Sequence, residues 1–310
     1  MKRDILIGLG LLVLLVIISA VSGPYLLRLS TIVLMYIVLA LSWNFIGGMA
    51  GYPSFATAAF FGLGAYTGAV VQTSGGSMYV AWGAAALMTA VVSGFLGWVL
   101  LRLRGHYFAI ASFALVEVFR VLTNSMTNIT GGGMGLNLPV PQLASVHAQA
   151  MFFFYAMLGL AIVTFAVTLA VSHSKLGFGL RCIQQNEPAA DILGIKTTLH
   201  KVVAFILSAS FVAVAGAVYA SWVYYIEPPD VFDIMYSIKP IVMVLLGGAG
   251  TVFGPIIGAV LYLSLEEIVW RNLLQVNTGA LGVLIVLLVL YLPRGFLSLK
   301  FKRLRKKVTT

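Results

Sequence analysis

Val202–Val223 reads VVAFILSASFVAVAGAVYASWV, 22 residues without one charge. About 20 apolar residues in a helix cross the hydrocarbon of a bilayer. Working outward, runs of the same character recur at Ile5–Val21, Thr31–Ile46, Pro53–Val71, Tyr79–Leu101, Tyr107–Leu122, Met151–Val171, Ile238–Leu265 and Ala280–Leu292. The 310 residues are 61% hydrophobic and 9% charged, and the mean hydropathy is +1.03. A soluble domain carries about 25% charged residues, so this chain has too few charges to cover a water-facing surface. The reading is an all-α, polytopic transmembrane helical bundle of about 8–10 spans, some short or broken, forming one domain over residues 1–310. MKRD followed by ILIGLGLLVLLVIISAVSG imitates a secretory signal. The many spans that follow favour an uncleaved first span.

The net charge of +10 would suit nucleic acid, but its distribution suits a membrane better. With the N-terminus inside, 15 of the 19 Lys and Arg residues fall on the cytoplasmic side. They are Lys2, Arg3, Arg102, Arg104, a polar segment at 172–201 and a basic tail at 294–310. Arg28, Lys239 and Arg271 fall outside, and Arg120 lies within a span. Such a bias fixes orientation. Both termini and the polar segment are therefore expected in the cytoplasm, and nucleic acid is not expected as a partner.

Ile238–Leu265 breaks the alternation. It is too short for two full spans, yet it must begin and end outside if the basic tail is inside. GGAGTVFGP in its middle supplies a turn, so two short helices meeting at Gly247–Gly250 are expected. Backbone of that kind at membrane depth must be buried in protein or line a cavity. Pro53–Val71, with Gly62, Gly64 and Gly68, is expected to be an inner helix that neighbours approach closely. Ile5–Val21 and Ala280–Leu292 are expected to face lipid.

The polar segment contains GLRCIQQNEPAADILGIK, Gly179–Lys196. Asn186 or Glu187 can cap a helix, Pro188 fits its first turn, and Gly194 is placed to end it. Two turns are too short to persist alone. Ala189 and Leu193 share one face, which suits a groove on a partner protein. The alternative is a solvated loop at the lipid surface.

At this point the chain resembles a known family. Glu187-Pro188-Ala189-Ala190, with Leu193 and Gly194, resembles the EAA loop of ABC importer permeases. LSWNFIGGMAGYPSFATAAFFGLGAYTGA (Leu41–Ala69), GHYFAIASFALVEVFRVL (Gly105–Leu122), TGGGMGL (Thr130–Leu136) and GGAGTVFGPIIGA (Gly247–Ala259) resemble the branched-chain amino acid importers' LivM-type permeases. The resemblance implies a multi-pass subunit of a bacterial inner (plasma) membrane that moves branched-chain or related small amino acids. It implies a second related permease, two cytoplasmic ATP-binding subunits docked on the loop at 187–194, and an external substrate-binding protein. Relatives are also associated with urea and short amides. The chain departs from the family pattern at GYPSFAT (Gly51–Thr57) and at YYIEPPDVF (Tyr224–Phe232), which leaves the cargo open.

Several groups could carry transport chemistry. Glu117 and Arg120 stand three apart on one helical face; they either line a polar path or form a pair with Arg120 reaching the outer surface. Thr130, Gly131, Gly132 and Gly133 could offer backbone groups to a passing carboxylate, or form an ordinary turn. Gly247 and Gly248 mark the broken span. Glu227, Asp230 and Asp233 form an acidic outer loop. No Gly-Lys pair exists, so no Walker-type ATP site is present; Mg-ATP is expected to belong to partner subunits and no cofactor to this chain. Cys182 is the single cysteine and the four histidines are scattered, so no metal site is expected. No nucleophile and base are spaced for catalysis. An ion-gradient-driven secondary transporter stays open as an alternative, but it needs matched broken helices and leaves the polar segment unexplained.

Overall fold

The computed structural model describes residues 23–140 and 145–272. The runs Ile5–Val21 and Ala280–Leu292 and the tail 294–310 lie outside the described residues. Helix α1 (Pro24–Trp43) continues into a π-helix, Asn44–Met49. Then come α2 (Thr57–Thr73), α3 (Met78–Leu100), α4 (His106–Ser125), the one-turn α5 (Thr127–Thr130), a 3-10 turn (Gly132–Met134) and β1 (Leu136–Asn137). The long α6 (Val146–His173) leads to α7 (Lys175–Gln185), α8 (Glu187–Ile192) and α9 (Thr197–Val223). The described part ends with β2 (Tyr225–Ile226), α10 (Pro228–Val231), α11 (Met235–Gly247) and α12 (Gly254–Asn272).

Five helices among the described residues are long and apolar enough to cross a membrane: α1 with its π-helical extension, α3, α4, α6 and α9. Most observed helices run several residues past the apolar runs read from the sequence. Hydropathy marks only the hydrocarbon-matched stretch, whereas the hydrogen-bonded helix continues through polar residues at the interface. The expected hairpin is present, with α11 and α12 separated by the break from Gly248 to Phe253.

α9 is the central element; α2, α3, α1 and α6 pack on it. Close approach comes from small residues, because lipid supplies little hydrophobic drive between helices. A Cβ on Gly64 would overlap the backbone of Ala213, and one on Gly216 would overlap the Phe61 carbonyl. α2 is thus an inner helix, as its composition implies. Gly64→Val is expected to cost about 1–3 kcal/mol or more by overpacking, read as a lower melting temperature in detergent. Gly83, with nothing within 4 Å of its Cβ direction, is the control, and Gly83→Ala is expected to leave melting unchanged.

α2 starts later than expected. Residues 51–55 have no regular structure, although Tyr52 and Ser54 are buried. Pro53 forces its predecessor out of the helical region. Side chains then satisfy the backbone: Ser112 Oγ accepts from Phe55 N–H at 2.9 Å, and Ser237 Oγ donates to Phe55 O at 2.5 Å.

Candidate functional site

α8 is built as its residues dictate. Asn186 Oδ1 accepts from Ala189 N–H at 3.1 Å, an N-cap, and Pro188 sits in the first turn where its missing N–H costs nothing. Gly194 takes a positive φ of 80° and closes the helix. Thr197 Oγ1 donates to Asp191 Oδ1 at 2.8 Å, tying the helix to the start of α9.

Its two sides differ. Glu187 turns inward: Lys201 Nζ donates to Glu187 Oε1 at 2.7 Å, and Tyr52 OH donates to Glu187 Oε2. Lys201 is 2% exposed. Its ammonium also bonds Tyr52 OH and Leu101 O, both at 3.0 Å, and lies 4.7 Å from the Tyr52 ring centroid. The more exposed Arg104 approaches Glu187 to 3.9 Å. Burial alone would raise the Glu187 carboxyl, but hydrogen bonds from Lys201 and Tyr52 and the charges of Lys201 and Arg104 together hold it below its ordinary value. Burial, and then the bond to Glu187, push the Tyr52 phenol up, so it stays a donor. Ala190 is also inward, 1% exposed.

The outward side carries Pro188, Ala189, Ile192, Leu193 and Gly194, all exposed; Ile192 is 86% and Leu193 76% exposed. Two large aliphatic side chains are thus held in solvent by an anchored helix, an exposure of the kind that marks interaction surfaces in general. Of the residues singled out in this loop, Glu187 and Ala190 therefore face the bundle and the others face away. Ala190 is the wrong place to probe docking, since a bulky charge there would meet packed protein first. Sequence reasoning missed Ile192 on the exposed side of the helix, and Lys201 and Tyr52 as its anchors. A Lys four residues into a long apolar helix, 14 after an acid, was the available signal.

The second group of singled-out residues lies elsewhere. On α4, Arg120 donates to Glu117 at 2.6 Å, and both are exposed. With Phe113, Val116, Pro229, Phe232, Asp233 and Ile234 they line a cavity of about 270 Å³. Thr130 is buried as a turn staple: its hydroxyl donates toward Thr123 O and Met126 O, at 2.6 and 2.8 Å, and accepts from Gly132 N–H. Gly131 and Gly132 take positive φ, while Gly133 is exposed. This loop joins the YYIEPPDVF segment through β1 and β2, with Leu136 opposite Ile226 and Asn137 opposite Tyr225. Gly247 and Gly248 are buried at the hairpin break, where a Cβ on Gly247 would overlap Gly254 O. The Thr130 loop and the hairpin break are not brought together. The former joins the C-terminal end of α9; the latter meets the π-helix, beside α7 at the other end. Among the described residues no cluster of three or more metal-binding side chains occurs.

This architecture matches known proteins. The family model described as the branched-chain amino acid transport system / permease component matches residues 25–292. The LivM permease protein of the high-affinity branched-chain amino acid transport system of Salmonella typhimurium is 28% identical, over 96% of this chain and 77% of its own. Its counterpart in Escherichia coli K12 is 27% identical, over 94% and 75%. LivH of Escherichia coli is 29% identical, over 44% of this chain and 46% of its own. In fold, a chain from an inward-facing conformation of a metal-chelate type ABC transporter superposes with a TM-score of 0.51, at 19% identity, over 92% of this chain and 99% of that one. Multiple apolar spans, a broken hairpin, an anchored two-turn helix and a family match over most of the chain agree: the protein belongs to the branched-chain amino acid transport system permease family, as a membrane subunit whose ATPase activity resides in partner subunits.

Proposed function

We propose that this chain is the importer's path-forming subunit for branched-chain or related small amino acids, working with a second related permease, two cytoplasmic ATP-binding subunits and an external binding protein. It lies in the bacterial inner membrane with both termini cytoplasmic, as its Lys and Arg distribution supports. Mg-ATP binds the partner subunits and no cofactor binds here. α8 is the coupling helix. The observation that carries this reading is its two-sidedness: Glu187 is locked to Lys201 and Tyr52 inside the bundle, while Ile192 and Leu193 stand in solvent. A docked ATPase that moves this surface moves α9 directly, because Lys201 and Thr197 belong to α9.

The second permease packs on α4. Tyr107, Ile110, Phe113, Glu117, Arg120 and Val121 are exposed along it. A charged group at mid-membrane costs about 2.5–3.5 kcal/mol on insertion scales and nearly always faces protein or a watery cavity. The Glu117–Arg120 pair therefore marks the shared path rather than a lipid face. Thr130–Gly133 and Gly247–Gly248 support that path as turns.

Reconstitution decides the reading. The full complex in liposomes is expected to accumulate labelled leucine only with ATP and binding protein, and urea not at all. Accumulation by this chain alone under an ion gradient would replace the importer by a secondary transporter. Lys196 labelled only by a reagent confined to the outside would reverse the orientation.

A further inference from the structure

From Asn44 to Ala56 the chain leaves regular α-helix, first as a π-helix and then as irregular chain in which Tyr52 and Ser54 are buried, before α2 starts at Thr57. This segment is also where four other helices meet through side-chain hydrogen bonds. Gln184 of α7 donates to Gly48 O at 2.9 Å, and Tyr52 bonds Glu187 of α8. Ser112 of α4 accepts from Phe55 N–H. Ser237 of α11 bonds Phe55 O and accepts from Ala58 N–H at 2.9 Å.

Asn44 makes the fifth attachment. It is completely buried. Its Nδ2 donates to Thr251 O and its Oδ1 accepts from Gly250 N–H, both at 2.9 Å. The amide therefore closes a two-bond clamp on the hairpin break between α11 and α12. Gly48 permits it, because a Cβ there would overlap Asn44 Oδ1 and come 2.7 Å from Gly250 N. π-helical turns are costly and cluster at functional positions. Here the wider turn lets Asn44 and Gly48 face the same glycine loop.

We infer that Asn44–Ala56 is the transmission joint of the importer, with Asn44 the positioning residue that carries motion of the coupling helix into the α11–α12 hairpin. The inference rests on α8 being the coupling helix. Gln184 and Glu187 grip one side of the joint, Asn44 and Ser237 grip the hairpin, and Ser112 grips α4, beside which Phe55 packs edge-on against Phe113 with ring centroids 6.4 Å apart. Phe113 lines the cavity that holds Glu117 and Arg120. Displacement of α8 thus reaches both walls of that path through one short piece of chain. The α-helical ladder of α1 changes to π-type bonding at Asn44, is lost after Met49 and resumes only at Thr57, so bending concentrates between the two helices.

The test is the ratio of solute taken up to ATP hydrolysed, in liposomes carrying the complete complex. Asn44→Ala leaves the outward face of α8 untouched, so the ATPase subunits are expected to co-purify and to hydrolyse ATP. Uptake per ATP is expected to fall about 5- to 50-fold, the size of a typical coupling between sites. Asn44→Asp, which keeps the acceptor for Gly250 and loses the donor, is expected to fall between. Gln184→Ala, at an exposed position, tests the other side of the joint if Asn44→Ala does not insert, and the same loss of ratio is expected. A merely structural role would lower hydrolysis and uptake together, and an unchanged ratio in these variants would overturn the proposal. Retained ATPase binding when Ile192 and Leu193 are both replaced by Asp would instead overturn the coupling-helix reading beneath it.

Discussion

Lys201→Met is expected to release α8 from the bundle. The ammonium of Lys201 is buried and makes three hydrogen bonds, to Glu187, Tyr52 and Leu101 O. Methionine fills similar volume but leaves the Glu187 carboxylate half-buried with its closest charge partner gone. Breaking one side of a buried pair costs about 3–5 kcal/mol, more than the pair itself contributes, because the remaining charge has been taken from water. α8 has two turns and cannot persist unsupported, so the loss falls on the loop at 186–196. Proteolysis in that loop is expected to accelerate, and ATPase co-purification to fall. Adding Glu187→Gln removes the stranded charge, and the double variant is expected to regain much of the resistance. If Lys201→Met alone leaves proteolysis and co-purification unchanged, Lys201 is not the anchor. The pH dependence has the matching sign. A carboxyl depressed below its ordinary 4.5 stabilises the fold above that value, and the contribution is lost as pH falls through the lower folded value. The anchor is therefore fully formed at neutral pH.

Ile192→Asp combined with Leu193→Asp is expected to abolish ATPase binding without touching the bundle. Both side chains are almost wholly in solvent, so the fold gains and loses little. At the centre of an interface, removal of anchoring residues costs about 2–4 kcal/mol, roughly 30- to 1,000-fold in affinity. Burying two carboxylates against a partner's apolar groove makes it worse. Co-purification should disappear while the melting temperature stays within about 1 °C, the behaviour of surface substitutions. Retained binding and retained ATP-driven uptake would show that α8 lies on the lipid headgroups, not on a protein. Ala190→Glu offers the contrast. Its side chain is packed inside, so it is expected to lose melting temperature and binding together.

Much of this molecule is legible in one dimension because membrane solvation is a one-dimensional constraint. Val202–Val223 had to be helical and apolar wherever it packed. The broken span at Gly247–Gly250 was readable because charge bias and length could not both be met by one straight helix. Asn186, Pro188 and Gly194 announced α8 because capping is local. The departures came where non-local partners substituted for the local rule. α2 begins at Thr57 instead of Pro53 because hydroxyls of Ser112 and Ser237, far away in sequence, satisfy the backbone of Phe55.

The amino-acid sequence thus determined the solvent, most of the helices and the presence of a short capped helix at Glu187–Ile192, since each follows from hydropathy or capping within a few residues. The tertiary structure alone decided which side of that helix faces outward, that Lys201 and Tyr52 hold it, and that Asn44 clamps a loop more than 200 residues downstream. The physical reason is the same in each case. A buried polar group must find a partner, and the identity of that partner is set by which helices cross, not by what stands beside it in the chain.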